Sequence, residues 1–505
     1  MSIYYMFFCV ECQATYDRFS PFLLSLALTF KDVRYIMNAK KARKEVLIME
    51  PTLKNFRIFP SVIESNKEST LQIVSNDANF LFFDDLTYKI EVHPMEENDV
   101  PYGDRLHLLS YYDQHRKTYE VKPQNGVISF SYFFQGEQEW RIHIFCEEYE
   151  KHQNPLYQYQ EHCWDWLVNA PKNGVVLSVY SVGADLLSRN VLRGDFHSHT
   201  ALSDGSESPE MTAAGYRMAG YDVLAITDHY LYNTARLVTD KLNITTDFQV
   251  LTAEEVHNGY IGQFHMVNIT SQYSINDIYI NEPERVEREV QALAEEITVP
   301  EGLPQKEYLH RVWLYRAIKK AGGFAIYPHP NWQVKHHYHT ETKMSKAILE
   351  NGLCDAFEVL GGCSPEQRNL QLMLHHTLST EGTKIPIVGS TDAHSVLSGS
   401  LFCSASTILF ADGDKLTDAI RDGYSVAVET EQGENPFVYG DYRLVKYVHF
   451  LLRNYFPIHD ELCRTSGEVM MEYVCGNLEL KQTVEVLEKR VHDFGEKFFG
   501  KQAKN

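Results

Sequence analysis

The chain has 505 residues and a formal net charge of −21, with 44% hydrophobic and 23% charged residues. This length predicts two to four domains, and the composition is that of a soluble globular protein. The acidic balance argues against a nucleic-acid surface built on a basic stripe, but it permits a phosphorylated substrate held through divalent metals. Nine cysteines without a framework spacing predict reduced thiols and a cytoplasmic location. No run of residues has the length of a membrane-spanning helix, so no membrane partner is expected.

The first 50 residues lack a clear hydrophobic pattern, and two interpretations stay open. Residues 1–50 are either a genuine N-terminal extension or the product of a misassigned start site. The second interpretation arises because Lys44-Glu45-Val46 can be encoded by a ribosome-binding sequence at the right distance before Met49. A signal peptide is not expected, because acidic residues precede the apolar stretch 21–30 and no small-residue cleavage site follows it.

Residues 51–190 are predicted to form a β-sandwich. Apolar and polar residues alternate in several short segments, including Thr70–Val74, Tyr88–Val92 and Trp140–Phe145, and turn residues separate them. Short alternating strands at such spacing are typical of a sandwich. Its histidines stand alone, so we assign this domain to substrate access, domain packing or assembly.

From residue 191 to about residue 430, strand and helix patterns alternate, which predicts an α/β domain. The seven candidate strands are Leu192–Phe196, Val223–Thr227, Gln249–Ala253, Phe264–Ile269, Gly323–Tyr327, Ala356–Leu360 and Ile385–Gly389. Seven parallel strands fit an open sheet or a barrel, and in a barrel the loops after the strands build the active site. Residues 281–320 are predicted to be a helical insertion, and residues 431–505 a C-terminal helical segment.

Metal-binding residue types follow or occupy the predicted strands. His197 and His199 are two residues apart on a strand, so they point to one face, and Asp204 follows in a loop. The other candidates are Asp228, His229, Glu254, Glu255, His257, His265, His329, Asp392 and His394. This oxygen and nitrogen set favours zinc, manganese or iron. A set of this size exceeds the needs of one ion, so two or three divalent ions are predicted.

Several of these motifs together resemble the PHP (polymerase and histidinol phosphatase) superfamily over about residues 192–429. They are Asp195-Phe196-His197-Ser198-His199-Thr200, Ser203-Asp204-Gly205, Ile226-Thr227-Asp228-His229, His329-Pro330 and Asp392-Ala393-His394. Within the superfamily, His329-Pro330-Asn331-Trp332, Glu254-Glu255-Val256 and the upstream β domain resemble the CehA/McbA-type metallohydrolase branch. The resemblance implies a distorted seven-stranded (β/α) PHP barrel, preceded here by the β-sandwich and followed by the helical tail.

The resemblance also implies a ligand set, carried over residue by residue. The implied metal ligands are His197, His199, Asp204, His229, Glu255, His265, His329, Asp392 and His394. Glu255 is chosen over Glu254 by the small-x-Glu pattern of the family, in which Ala253 replaces the usual glycine. Asp228 is expected to orient a ligand, and Glu358 either does the same or is a plain buried hydrogen-bonding group.

The function expected from these residues is that of a metal-dependent phosphoesterase. A metal-bridging hydroxide would attack phosphorus, and Asp392, His394 and His229 would assist as catalytic residues. Hydrolysis of carbamates or aryl esters at the same site is the alternative, and a non-catalytic PHP binding module is a third. The expected partner is a small-molecule phosphoester or a short oligonucleotide rather than long duplex nucleic acid. His336, His337 and His339 are expected in a solvated polar loop, with metal capture or substrate contact as the alternative.

Overall fold

Two β-sheets near the start of the chain share one apolar core in the computed structural model. The structure describes residues 55–76, 81–96, 117–146, 174–258, 264–399, 401–430 and 435–501. The predictions for residues 1–50, including a start at Met49, lie outside the described residues. The first eight strands are β1 (Phe56–Phe59), β2 (Val62–Glu64), β3 (Lys67–Ser75), β4 (Tyr88–Pro94), β5 (Thr118–Val121), β6 (Ile128–Phe134), β7 (Gln138–Phe145) and β8 (Gly174–Val182).

These strands form a three-stranded sheet in the order β1-β3-β6 and a five-stranded sheet in the order β2-β8-β7-β4-β5. Strand β7 shows why the sheets meet. Its alternating residues Trp140, Ile142 and Ile144 are buried, and they join a core with Ile73 and Phe130 of the other sheet. Alternation along a strand places such residues on one face, which must be covered.

A ten-stranded mixed sheet follows within the described part of the chain, in the order β17-β16-β13-β12-β11-β10-β9-β18-β19-β20. Its strands are β9 (Asn190–Asp195), β10 (Val223–Ile226), β11 (Gln249–Asn258), β12 (Phe264–Ile269), β13 (Phe324–Tyr327), β16 (Ala356–Leu360), β17 (Ile387–Gly389), β18 (Ala405–Ala411), β19 (Ser425–Glu429) and β20 (Phe437–Tyr439). Seven of them correspond to the predicted strands. The other three, β18 to β20, were not predicted, and β18 is buried along its whole length, so it shows no alternation.

The sheet is curled, since its first strand returns to the region of β18. The hydroxyl of Thr407 on β18 donates to the carbonyl oxygen of Gly389 at 2.9 Å, and the Gly389 amide donates back to that hydroxyl at 3.0 Å. Ser425 of β19 similarly donates to the carbonyl of Ile387 at 3.1 Å. Side chains therefore bridge the place where an ordinary strand ladder would close a barrel.

The expectation that the seven predicted strands run parallel is wrong for β12. This strand pairs antiparallel with both β11 and β13, and His257 lies opposite His265 across the first pair. An antiparallel strand brings its first residues to the rim where its neighbours end. His265, the second residue of β12, therefore lies at the same rim as the residues that follow β9, β10 and β13.

Helices cover the sheet. They are α1 (Ala184–Leu187), α2 (Pro209–Met218), α3 (Thr234–Leu242), α4 (Ile275–Asn281), α5 (Pro283–Leu293), α6 (Gln305–Lys320), α7 (Thr342–Glu350), α8 (Pro365–Thr380), α9 (Leu416–Arg421), α10 (Tyr442–Asn454), α11 (Phe456–Val474) and α12 (Lys481–Phe498), with a 3₁₀ turn at Leu478–Leu480. A short hairpin, β14 (Gln333–Val334) and β15 (His337–Tyr338), lies between β13 and α7. None of the helices in the described ranges is both long and apolar enough to cross a membrane.

The C-terminal helices pack on strands of the five-stranded and the ten-stranded sheets. Tyr447 and Phe450 of α10 share an apolar core with Tyr180 of β8 and Phe410 of β18. The guanidinium of Arg443 on α10 adds polar contacts, because it donates to the carboxylates of Glu137, just before β7, and Asp185, on α1. The tail is thus part of the packing that fixes the two sheets relative to each other.

Candidate metal centre

The carboxylate of Glu255 lies at the centre of a group of histidines. On the strand β11, one of its oxygens, Oε2, is 3.3 Å from Nε2 of His197 and 3.3 Å from Nε2 of His199. Its other oxygen, Oε1, is 2.7 Å from Nδ1 of His265 and 3.2 Å from Nε2 of His329. A single buried carboxylate therefore has imidazoles on both of its oxygens, which suits a group that bridges two cations.

We call this assembly the Glu255 cluster. Its members are the nine predicted ligands and one further histidine, namely His197, His199, Asp204, His229, Glu255, His265, His329, His339, Asp392 and His394. The structure thus brings together all nine residues that the sequence singled out, although they come from six strands or the loops that follow them.

The neighbouring carboxylate, Glu254, faces away from the cluster. It accepts hydrogen bonds from the side chains of Asn268 at 2.8 Å and Ser274 at 2.7 Å, and from the backbone amide of Ile275 at 2.7 Å. Successive residues of a strand point to opposite faces. Glu254 therefore fixes the start of helix α4, while Glu255 is directed into the cluster.

Asp392 completes a first set of four candidate ligands, with His197, His199 and Glu255. Their ligand atoms all lie within 4.8 Å of one another, and Oδ1 of Asp392 is 3.1 Å from Nε2 of His199. The backbone of Asp392 is left-handed, with φ of 51°. A non-glycine residue in this region is strained, and such strain is found preferentially at functional sites.

A second set lies at the exposed end of the cluster and contains His199, Asp204 and His394. Oδ2 of Asp204 is 3.3 Å from Nε2 of His394 and 3.7 Å from Nε2 of His229. The side chain of Asp204 is 53% exposed and that of His394 is 40% exposed. Solvent and a substrate can therefore reach this end, whereas the His197 end is closed.

A third set contains His265, His329 and His339. His336 and His337 are exposed, as the sequence led us to expect. The expectation of a solvated side chain is wrong for His339, whose ring lies 4.5 Å from that of His265. Sequence reasoning missed it because three histidines in one hairpin look alike, and only the path of the hairpin decides which one turns inward.

The unpaired atoms of the cluster fit divalent ions. Buried side-chain atoms that make no hydrogen bond within the described residues include Nε2 of His197, both ring nitrogens of His199, Nδ1 of His229, Nδ1 of His265, Nδ1 of His329, Nε2 of His339 and Oδ1 of Asp392. An unsatisfied buried polar group costs about 1–3 kcal/mol. Nitrogen and carboxylate ligands together suit zinc, manganese or iron, so the residues present match these metals.

Opposite charges dominate the electrostatics of the cluster. Burial lowers the pKa of His197, but the carboxylates of Asp392, Glu255 and Glu358 outweigh burial and raise that pKa well above its usual value. For His199, burial is likewise outweighed, and the carboxylates of Asp392 and Glu255 beside its Nε2 raise the pKa to about 9. The pKa of Glu255 is held well below its usual value, against the effect of burial, by His265 and His197. Strong proton binding by the imidazoles means that protons and metal ions compete for them.

Two carboxylates outside the cluster hold its loops in place. Asp228 accepts from the amide and hydroxyl of Thr200, both at 2.7 Å, and from the hydroxyl of Ser203 at 2.7 Å. Asp195 accepts from the amides of His197 and Thr391, both at 3.1 Å. Asp228 therefore positions the loop that carries Asp204, and Asp195 ties the end of β9 to the loop after β17.

The two arginines near the motif loops, Arg217 and Arg236, are paired with carboxylates outside the cluster. Arg217 is fully buried, and it donates to Asp222 at 2.9 Å and to Glu488 at 3.0 Å. Arg236 lies 3.6 Å from Asp240 in an exposed ion pair on α3. Neither arginine is therefore placed to grip a phosphate at Glu255.

No family model and no curated protein matches the chain. Its sequence is 18% identical to a two-domain protein from Bacteroides vulgatus containing a predicted PHP-like metal-dependent phosphoesterase, with a TM-score of 0.32 over 48% of this chain and 65% of that one. A Bifidobacterium adolescentis protein, provisionally named a metal-dependent phosphoesterase, is 19% identical with a TM-score of 0.30, over 45% of this chain and 94% of that one. An amidohydrolase from Chromobacterium violaceum, whose structure was solved with sulfate and no metal, is 18% identical with a TM-score of 0.27. The match covers 40% of this chain and 87% of that one.

The chain thus spans less than two thirds of the length of the Bacteroides vulgatus protein. Because these three TM-scores lie below 0.5, the functional argument rests on the Glu255 cluster itself.

Proposed function

We propose that this chain is a metal-dependent phosphoesterase of the PHP superfamily, in its CehA/McbA-type branch. One observation carries the proposal. Residues from six strands or the loops after them direct unpaired nitrogen and oxygen atoms at one another around a single buried carboxylate, Glu255. Histidines that only cap strands would find hydrogen-bond partners in their own loops.

Three neighbouring ligand sets, two of which share His199, support a centre of two or three divalent ions, with zinc, manganese and iron as the candidates. Glu255 is positioned to be shared between the set that contains Asp392 and the set that contains His329. Ions bound there supply Lewis acidity, which lowers the pKa of water and stabilises negative charge on a phosphoryl or carbonyl oxygen.

The residues at the exposed end are suited to proton transfer. The Nδ1 of His394 lies 2.9 Å from the backbone carbonyl of Asp392, so it donates there and directs Nε2 toward Asp204. His229 lies on the other side of Asp204 and is half-buried, and burial lowers its pKa to about 4, so its ring is placed to accept a proton rather than to donate one. We assign to His394, with Asp392 and His229, the transfer of protons during hydrolysis.

The proposed substrate is a small-molecule phosphoester or a short oligonucleotide. The net charge of −21 supports this choice over a long duplex. Two aromatic side chains beside the cluster, Tyr230 at 46% and Trp332 at 38% exposed, offer apolar surface to an uncharged group. The ring of Tyr230 stacks on His257, with centroids 5.6 Å apart.

These aromatic side chains also favour a second candidate, the hydrolysis of aryl esters or carbamates by the same residues. Carbonyl and phosphoryl oxygens are both polarised by a Lewis acid. The two candidates differ only in the bond that is broken, so a panel of substrates separates them.

We further propose a division of the chain into a β domain at 51–190, a catalytic domain at 191–430 and a helical tail at 431–505. Separate apolar cores in the first two segments support it. The tail shares its core with β8 and β18, which supports a packing role rather than an independent one.

The test of function is a substrate panel with the full chain, loaded with zinc or manganese. Phosphomonoesters, phosphodiesters and aryl carbamates are compared for the wild-type protein, for H197A/H199A and for H376A, which removes an exposed histidine on α8. We expect hydrolysis of a phosphoester by the wild type and H376A, and a loss of at least about 10³-fold in H197A/H199A. Hydrolysis of carbamates alone would select the second candidate, and inactivity of metal-loaded protein on all three classes would refute both.

A further inference from the structure

The hairpin β14–β15 holds His339 against His265 and His329 of the Glu255 cluster. Three backbone hydrogen bonds close its base: the amide of Trp332 donates to the carbonyl of His329 at 3.0 Å, the amide of His339 to Trp332 at 2.7 Å, and the amide of Thr340 to Pro330 at 3.0 Å. The position of His339 is therefore set by the same backbone that positions His329.

The ring of His339 faces two other imidazoles. Its centroid lies 4.5 Å from that of His265 and 5.5 Å from that of His329. One nitrogen from each of the three rings lies within 4.8 Å of the others. Two nitrogens on a tetrahedral zinc ion are roughly 3.4 Å apart, so small side-chain rotations bring the three to one ion.

A further observation separates His339 from a packing residue. Its Nε2 is buried and makes no hydrogen bond within the described residues. A buried ring nitrogen without a partner carries a desolvation cost, and coordination of a metal ion would remove that cost.

We propose that His339 is a metal ligand and that it completes, with His265, His329 and Glu255, a site of three nitrogens and one oxygen. This inference rests on the metal-binding part of the proposed function. Four protein ligands fill the coordination of a tetrahedral zinc ion. The hairpin would therefore close this position, while the set that contains Asp204 and His394 remains the one that faces solvent.

The first experiment is a cobalt titration of the metal-free full chain. Wild type, H339A and H337A are compared, and H337A removes the exposed histidine of the same hairpin. The readouts are the visible absorption of Co²⁺ and the quenching of tryptophan fluorescence, since the ring of Trp332 lies 5.7 Å from that of His329. We expect H339A to weaken the binding of one equivalent at least about 10-fold, and H337A to match the wild type.

The second experiment tests for the appearance of a new absorption band rather than for a loss of metal affinity. In H339C, a thiolate at the metal is expected to add a near-ultraviolet charge-transfer band to bound Co²⁺. H337C carries the same thiol on the exposed side of the hairpin and should show no such band. This pair remains informative if the alanine variant disturbs the hairpin.

The outcomes distinguish this inference from the proposed function. Equal cobalt affinity and spectra in wild type and H339A, with no new band in H339C, would overturn the role of His339 and leave the hydrolase proposal intact. A His339-dependent spectrum in a protein that hydrolyses no ester would support the ligand and overturn the hydrolase. A wild-type protein that binds no Co²⁺ would overturn both.

Discussion

The carboxylate of Glu358 lies 2.9 Å from Nδ1 of His197, and both side chains are fully buried. Because a carboxylate accepts, Nδ1 carries the proton, and the other ring nitrogen, Nε2, is left facing Glu255 and Asp392. Glu358 therefore sets the tautomer and the direction of an imidazole that it holds from strand β16, 161 residues away in sequence.

The first prediction concerns this contact. The substitution E358Q keeps the shape of the side chain but removes the charge that fixes the ring of His197. Removing the hydrogen-bond partner of a metal-binding histidine lowers metal affinity or activity by roughly 10–100-fold. We expect E358Q to lower the metal affinity by a factor in that range. The measurement is metal affinity, by competition with a chelator, together with turnover.

The matched control for E358Q is E254Q. Glu254 is equally buried, but its partners are Asn268, Ser274 and the amide of Ile275 rather than the cluster. We expect E254Q to lower the stability and to leave metal affinity within about 3-fold of wild type. If both variants lose metal equally, Glu358 has no special part in holding His197.

The second prediction concerns Gly361. A Cβ atom at this position would lie 1.8 Å from Oε1 of Glu358. The carboxylate is the flexible end of its side chain, so in G361A it must move away, and His197 loses its partner. We expect G361A to reproduce the loss of metal affinity of E358Q. G495A on helix α12 is the control, since its nearest neighbour is Tyr455 at 3.5 Å, and wild-type affinity in G361A would contradict the argument.

The third prediction is a pH dependence of stability outside the cluster. Nε2 of His459 lies 2.9 Å from Oδ1 of the buried Asp222. Burial lowers the pKa of His459, but Asp222 outweighs it and raises that pKa well above its usual value. A histidine whose pKa is higher in the folded state than in the unfolded state stabilises the folded protein when it is protonated. This stabilisation is complete at pH values below the unfolded pKa of about 6.5, and it is lost as the pH rises through the folded pKa.

The measurement is urea unfolding of metal-free wild type and H459Q at about pH 6 and about pH 9. We expect the difference in unfolding free energy between the two proteins to be larger at the lower pH. The pKa of Asp222 is lowered, against the effect of burial, chiefly by His459, so its own contribution is present at both values. If the difference in unfolding free energy is the same at the two pH values, the proposal that His459 is charged in the folded protein is refuted.

The fourth prediction concerns Arg217. Its guanidinium is buried between the carboxylates of Asp222 and Glu488. R217M leaves Glu488 without its cation and removes one of the two cations beside Asp222, the other being His459, and breaking a buried pair costs about 3–5 kcal/mol. We expect a loss of stability in that range by chemical denaturation, with metal affinity per folded chain unchanged. R236M removes an exposed arginine instead and should have little effect; a specific loss of metal in R217M would contradict this assignment.

The sequence alone predicted nine of the ten residues that form the Glu255 cluster. His197 and His199 were predicted to point to one face because they are two residues apart at a predicted strand, and Glu255 was chosen over Glu254 by the small-x-Glu pattern of the family that the motifs resemble. Spacing and motifs are local features, so they could be read along the chain. The seven strands, six of which carry the nine predicted ligands or lead into them, were also predicted, because each has its own apolar pattern.

The tertiary structure decided how these pieces meet. The direction of β12 depends on its pairing with β11, and this pairing places His265 at the rim. The inward turn of His339 depends on the backbone bonds of one hairpin, and the contact of Glu358 with His197 joins residues far apart in sequence. Pairing direction, hairpin path and long-range contacts are set by packing over the whole chain, and no local pattern of residues encodes them.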